Sequence, residues 1–492
     1  MGKFRDFWKI SNDGMINNQR KLQIALPFMP VQLSNALIHS AYLKYYTDII
    51  GMDIKYMGII YMLFGIWNAA NDPLMGVFID RFKFRKSRGK YTYLMRVTAP
   101  VTLISSAMML FAQPGWAEWF IFLFLSVLLF VFDTAQTAYS ISRASYMLVA
   151  APSRDERVGV SVAENYVGQV GAFLASVIPT LLLVGEARRG LTVALFSGVL
   201  IFNSILYYIA LRPLKENEAM FRAEIKNEEA RLVEIFRKDA KSLMKSRGFM
   251  TWLLYQIIGR GPTVIFFTSF LYMADHVLNL SGIQATIADI VPGLIMFLFM
   301  PLMGKLSKQI GMRKLLLWAS IPLALSYLSI FLVNNMWQAM IVFTAVITLT
   351  NVSAIVGPVM MGAIIDEDER RTGTRKAGLF MGMNALLTIP VGGLHTLVFT
   401  TILGYYGFIS GSDAQSATAQ NGIRIASALI PGLFILLGMI PLFLNPFTKD
   451  VEKDLSEFSQ RHRGRKTPDE PAGIPKGGND PDHEGSTSLS HA

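Results

Sequence analysis

Several carboxylates and amides in this sequence lie inside stretches of about 20 apolar residues, where a polar side chain is costly. An ionisable group there costs several kcal/mol unless it is paired or hydrated, so each has either a functional or a packing reason to be present. Asp72 is the clearest case, within Trp67-Asn68-Ala69-Ala70-Asn71-Asp72-Pro73. At helical spacing Asn68, Asn71 and Asp72 share one face. Pro73 removes a backbone donor and frees a carbonyl nearby. A carboxylate, two amide oxygens and a loosened backbone suit a hard cation such as Na⁺, or a proton carried on the aspartate. The competing reading is a hydrogen-bonded packing cluster. Asp133 is the expected partner, with Gln136 beside it and the Thr137 hydroxyl one turn on, placed to complete a cation shell or to bond the acid.

A second group of polar residues suits a solute rather than an ion. Gln32, Asn35, His39 and Tyr42 step by three and four along a single stripe, as in a helix lining a cavity, although amides also hold helices together in lipid. Tyr139, Asn165 and Gln169 are further candidates for substrate contact. Glu164 either faces the same cavity or pairs with Arg143. Arg260 lies in Gly259-Arg260-Gly261-Pro262, where glycines and a proline allow a helix break of the kind that lines binding sites; pairing with an acid such as Asp289 is the alternative. His395 reads as a packed, hydrogen-bonded histidine. Local signatures of zincins, serine hydrolases and Walker nucleotide sites are missing, which disfavours an enzyme or an ATP-driven pump.

The elements that must hold these residues are membrane spans. Hydrophobic residues make up 52% of the 492 and charged residues only 16%, against roughly 25% charged in a soluble domain. We place twelve spans at about 22–49, 56–80, 93–112, 119–149, 158–184, 191–211, 249–274, 285–310, 315–333, 338–365, 377–403 and 423–446. Of the two alternating sets of loops, one carries nearly all the Lys and Arg, and the other only Lys55, Arg188 and Arg189. Both termini are therefore expected in the cytoplasm, and the net charge of +11 reads as topology rather than nucleic-acid binding. The polar N-terminus shows no removable signal peptide, and the lack of cysteine excludes disulfides, thiolate metal sites and cysteine nucleophiles.

The expected organisation is a cytoplasmic N-terminus (1–21), a six-helix bundle (22–211), a cytoplasmic linker with an amphipathic helix (212–248), a second six-helix bundle (249–446) and a disordered cytoplasmic tail (447–492). Two short echoes relate the bundles: Pro73-Leu74-Met75-Gly76 recurs as Pro301-Leu302-Met303-Gly304, and Asp155-Glu156-Arg157 as Asp368-Glu369-Arg370. Parallel six-span repeats build a central site between two halves that rock.

The run from Gly76 through Asp80-Arg81 to Lys83, Arg85 and Lys86 resembles the cytoplasmic gate signature of the major facilitator superfamily. With it come Tyr45-Tyr46-Thr47-Asp48, Asn71-Asp72-Pro73 with Gly76, Asp155-Glu156-Arg157, and Arg371-Thr372-Gly373-Thr374-Arg375-Lys376-Ala377-Gly378. Together they resemble the glycoside-pentoside-hexuronide:cation symporter family, the melibiose-permease-like branch of that superfamily, over about residues 22–446. The resemblance implies a twelve-helix all-α membrane fold that works by alternating access, with gating at Gly76, Asp80, Arg81 and Arg375. It further implies a cation site at Asp72 and Asn71, with Asn68 where the family has a second span-two carboxylate and Thr137 near the family's span-four position, Asp133 standing one turn away. This chain departs from the family at the sugar clamp. The span-one aspartate aligns with Gln32, the span-five arginine with Asn165, and span eleven has no lysine where melibiose permease has one.

The expected function is thus cation-coupled (Na⁺ or H⁺) symport of a small solute, a sugar or glycoside, with a lysophospholipid or other amphiphile as the alternative cargo and a non-transporting membrane receptor as the alternative of another class. No cofactor is expected beyond the coupling ion. The expected setting is a bacterial inner membrane, with a small-molecule substrate, the lipid bilayer and no nucleic acid as partners, the chain acting as a monomer.

Overall fold

A computed structural model describes residues 16–82, 85, 88–151, 154–185, 189–217, 243–373, 377–412 and 414–455. The expected amphipathic linker helix and the tail beyond 455 lie outside the described residues.

The described chain is helical, and we number its long helical runs in order. The first, α1, runs over 18–49, and α2 is Ile54–Arg81, α3 Tyr91–Met109, α4 Glu118–Ala150, α5 Arg154–Leu183 and α6 Arg189–Leu211. The second set is α7 Arg247–Val277, α8 Gly282–Ile310, α9 Met312–Leu332, α10 Met336–Thr372, α11 Ala377–Tyr405 and α12 Ala417–Leu444. Eight of them, α4 and α6 to α12, contain stretches long and apolar enough to cross a membrane. The other four carry the polar residues singled out above, or prolines and charged ends, which dilute their apolar windows.

Local chemistry sets several ends. Asp53 caps α2 by accepting from the Lys55 amide, and Ser281 with Gln284 forms a reciprocal capping box at α8. Gly373, at φ +72, closes α10 in the left-handed conformation that glycine adopts without strain. Five segments widen to π-helix: Leu37–Ala41, Tyr45–Ile49, Gln256–Arg260, Met273–Val277 and Ile425–Leu429. Such bulges concentrate at functional sites. The segment over 256–260 corrects the expected break in α7, since the helix widens and continues into Pro262. Gly259 there approaches Gly438 of α12 too closely for a side chain on either residue, so the glycine serves helix packing.

The first six helices and the last six meet along α2 against α11 and α5 against α8. The contacts that join them lie at the end away from the chain termini. The Tyr61 carbonyl and the Met62 Cα crowd the backbone of Gly393, leaving no room for a Cβ. The hydroxyls of Thr180 and Thr286 are 3.0 Å apart, and the Gly185 amide donates to Asp275 Oδ1 at 2.9 Å. Toward the termini, Leu74 and Phe78 of α2 and Leu298 and Leu302 of α8 are exposed, and Gly76 faces open space. Among the described residues, the polar and close backbone contacts between the halves thus lie on the side away from the termini.

Candidate functional site

The five residues expected to bind a cation come together between α2 and α4. The packing of α2 on α4 includes Trp67 stacked on Phe130, with centroids 5.1 Å apart. One turn on, Asp133 accepts from Asn68 Nδ2 at 2.8 Å on one oxygen and from Asn71 Nδ2 at 3.0 Å on the other. Thr137 Oγ1 donates to Asp72 Oδ1 at 2.9 Å. Asp133 and Asn71 are buried, whereas Asp72 is half-buried and its Oδ2 makes no hydrogen bond among the described residues. Amide donors thus occupy both oxygens of Asp133, while Asp72 keeps one oxygen available. Two carboxylates in one polar pocket repel, and a cation or proton on Asp72 relieves that repulsion. The oxygen donors a hard cation needs are therefore grouped at Asp72, Asp133 and Thr137.

The expected substrate stripe divides. Gln32 and Asn35 are partly exposed, and Asn35 Oδ1 accepts from Gln136 Nε2 at 3.3 Å. Tyr42 is sealed in the core, its hydroxyl donating to the Ser106 carbonyl at 2.5 Å, so it ties α1 to α3 and offers nothing to a solute. Tyr139 is likewise fully buried, donating to the Pro27 carbonyl at 3.3 Å and meeting the Tyr207 ring edge-on. Both depart from expectation for one reason: the 3.6-residue period shows which residues share a face but not which neighbour covers it. The side chains of His39, Asn165, Gln169, Arg260, Asp80 and Arg81 lie outside the described side chains, and Arg375 lies outside the described residues. Glu164 pairs with Arg143, which also covers the Phe28 ring at 4.6 Å. His395 is packed as expected, with Nδ1 2.6 Å from the Val391 carbonyl.

A network absent from the sequence reading joins α1, α4 and α6: Asn203 donates to Ser34 Oγ at 2.9 Å, and Tyr207 to Gln136 Oε1 at 3.4 Å. In the second half, α7, α10 and α11 enclose a cavity of about 560 Å³. Among the described residues its polar lining is uncharged, with Gln256, Thr263, Thr350, Asn351 and Thr388 beside Phe266 and Phe267.

The largest omission from the sequence reading is at the closed end. Lys44 is fully buried, forms an ion pair with Asp48 one turn on, and reaches across to Asp275 Oδ2 at 2.7 Å. His276 Nε2 lies 3.0 Å from Asp48 Oδ2 and 3.3 Å from Lys44 Nζ, and the hydroxyls of Thr47 and Tyr272 are 2.8 Å apart. The two π segments involved are related by repeat. Ile50 and Met52 donate back to Tyr45 and Tyr46, as Leu278 and Leu280 do to Met273 and Ala274, which equates positions 228 apart. Lys44 then matches Tyr272, Thr47 matches Asp275, and Asp48 matches His276. Lys44–Asp275 and Thr47–Tyr272 are therefore reciprocal contacts about a pseudo-two-fold axis, with Asp48–His276 on it. Carboxylate and imidazole here could ligate a metal by spacing, but the Lys44 ammonium sits between them and makes the cluster an ion-pair network. A sequence signal existed: Lys44 precedes Asp48 by one helical turn, but span seven was expected to end at 274, one residue short of Asp275.

The chain resembles known transporters across most of its length. It is 23% identical over 447 residues to an uncharacterized symporter, YnaJ, of Bacillus subtilis, covering 87% of this chain and 92% of the relative. It is 22% identical to the isoprimeverose transporter of Lactiplantibacillus pentosus, covering 92% and 94%. Among solved structures, the D-xylose-proton symporter superposes with a TM-score of 0.63 at 13% identity, covering 87% of this chain and 97% of that one, and the nucleoside transporter NupG with 0.61 at 14%, covering 88% and 100%. These structural likenesses bear on the fold alone. The family model described as MFS/sugar transport protein matches residues 23–449, and the chain belongs to that family, a multi-pass membrane transporter of the melibiose-permease-like type its motifs indicated.

Proposed function

We propose that this protein is a secondary active symporter that moves a sugar or glycoside with a cation, Na⁺ or H⁺, by alternating access. The observation that carries the reading is the Asp72–Thr137 and Asp133–Asn68–Asn71 cluster between α2 and α4. It holds one acid in place with amide donors and leaves an oxygen of the other open. Loading Asp72 removes a net charge from the site and lowers the cost of closing protein around it. A neutral polyhydroxylated solute matches the uncharged amide, hydroxyl and aromatic lining between α7, α10 and α11, and Gln32 and Asn35 on the opposite half. The printed identities of relatives, an isoprimeverose transporter and a putative glycoside/cation symporter of Escherichia coli, favour the same cargo class. With basic loops on the cytoplasmic side, the Lys44 network closes the outside.

The test is uptake into sealed vesicles with and without an imposed Na⁺ or H⁺ gradient, over a panel of glycosides, uronides and lysophospholipids. Glycoside accumulation that follows one gradient and fails in Asp72→Asn is expected. Gradient-independent accumulation would refute the coupling, concentration of a lysophospholipid alone would refute the cargo, and binding without flux would identify a receptor.

A further inference from the structure

On the outside of the bundle α3 and α6 leave a groove of about 600 Å³ between them. Its walls are mostly apolar, with Pro100, Leu103 and Ile104 from α3 and Tyr208 and Leu211 from α6. The faces flanking it expose Val97, Val101 and Met108 on one helix and Ile201, Ile205 and Ile209 on the other. In a membrane-spanning bundle such faces meet lipid, so the groove opens to the acyl chains rather than to the space between the halves. At one end, where α3 begins and α6 stops, two exposed guanidinium groups, Arg96 and Arg212, line it.

Arginine at the end of a span ordinarily finds an acid or the lipid interface. Among the described residues no carboxylate pairs with either guanidinium. Arg96 is fixed at the mouth by donating from Nη2 to the Leu211 and Leu214 carbonyls at 3.3 and 3.2 Å. Glu216, in the same segment, is engaged elsewhere: its oxygens accept from the Lys90 and Thr92 amides at 2.6 and 2.5 Å. Positive charge at the membrane boundary, without a counter-charge among the described residues, stands at the head of an apolar trough.

We propose that this groove binds an anionic phospholipid of the surrounding bilayer, its phosphodiester between Arg96 and Arg212 and its acyl chains along Pro100, Leu103, Ile104 and Tyr208. A guanidinium pair recognises the phosphate through charge-assisted hydrogen bonds, and a basic pocket between spans is a common form of lipid headgroup site. The lipid is distinct from the transported solute, because the groove lies on the far side of α3 and α6 from the α2–α4 carboxylates.

The test uses the full-length protein, delipidated in detergent and titrated with phosphatidylglycerol or phosphatidylcholine, with retained lipid read by native mass spectrometry. Phosphatidylglycerol is expected to be retained in preference to phosphatidylcholine. Arg212→Gln, at a side chain that makes no hydrogen bond or ion pair among the described residues, should weaken retention about five-fold, and Arg96→Gln with Arg212→Gln about 25-fold. Ile104→Trp, which fills the trough and keeps both charges, should also weaken it. Equal retention of the two lipids, an unchanged Arg212→Gln variant or an unchanged Ile104→Trp variant would overturn the proposal. Displacement of the lipid by inorganic phosphate alone would overturn it too, leaving only a simple anion site.

Discussion

Replacing Asp275 by Asn should open the closed end of the molecule. Lys44 and Asp48 lie one turn apart on α1 and stay together in any arrangement of the halves, so the links that part on opening are the Asp48–His276 hydrogen bond, at 3.0 Å, and the Lys44–Asp275 ion pair, at 2.7 Å. At an effective dielectric of about 20 that attraction is roughly 6 kcal/mol before rehydration of the separated charges is counted. Truncating one member of a buried, hydrogen-bonded charge pair costs about 2–5 kcal/mol. Taking about 3 kcal/mol, Asp275→Asn shifts the closed-to-open ratio about 100-fold. The chain has no cysteine, so Tyr56→Cys on α2 and Tyr405→Cys on α11 can carry spin labels without a background. Both positions are exposed, and they flank Lys55 and Gly404, which touch. Asp275→Asn should move the label distances to a longer population. Thr47→Val, which across the halves loses a neutral hydrogen bond to Tyr272 while its bond to Asp48 lies within α1, should move them far less, by about 1 kcal/mol. An unchanged distribution in Asp275→Asn would refute the reasoning and leave closure to the packing of α2 on α11 and of α5 on α8.

Three further outcomes follow from the same geometry. Thr137→Val removes the donor to Asp72 and should raise the cation concentration for half-maximal uptake roughly tenfold, as expected for a hydrogen bond to a charged group. Arg143→Met leaves Glu164 unpaired and should lower stability by about 3 kcal/mol, whereas Arg143→Met with Glu164→Leu should recover most of it, both read by thermal unfolding. Gly393→Ala places a methyl against the Tyr61 carbonyl and Met62, and should shift the same label pair toward the open population with the Lys44 network intact.

The sequence made the cation cluster legible because every member announces itself: an amide or carboxylate in an apolar span is conspicuous, and helical spacing puts Asn68, Asn71 and Asp72 together. Periodicity could not say that Asn68 and Asn71 would serve Asp133 while Thr137 served Asp72. Pairing across two helices depends on their relative rotation, which no single span encodes. Tyr42 and Tyr139 show the same limit, for a polar stripe looks alike whether it faces a cavity or another helix. The groups at the closed end were hidden for a different reason. Asp275 and His276 lie just past the hydropathy edge of their span, where charge is unremarkable. Their meaning emerges only when the second half is turned onto the first and Asp48 falls opposite His276.

That symmetry also places a demand on α1, which like α7 carries both solute-facing residues and residues of the closed-end network. Gln32 and Asn35 lie before the π segment Leu37–Ala41, and Lys44 and Asp48 after it. A π segment accommodates one extra residue in an α-helix. Each residue turns a regular helix by about 100°, so the bulge sets the rotation between the two groups. Deleting Ser40 should restore α-helical winding from Phe28 to Lys44 and swing Lys44 and Asp48 by about 100° away from Asp275, with every residue of the Lys44 network still present. The Tyr56/Tyr405 label pair should then report the open population seen in Asp275→Asn, and adding Asp275→Asn to the deletion should change nothing more, because the contact it removes is already gone. If the deleted chain folds and stays closed, or if the two changes add, α1 does not set the latch through its π segment, and the bulge has only a local packing role.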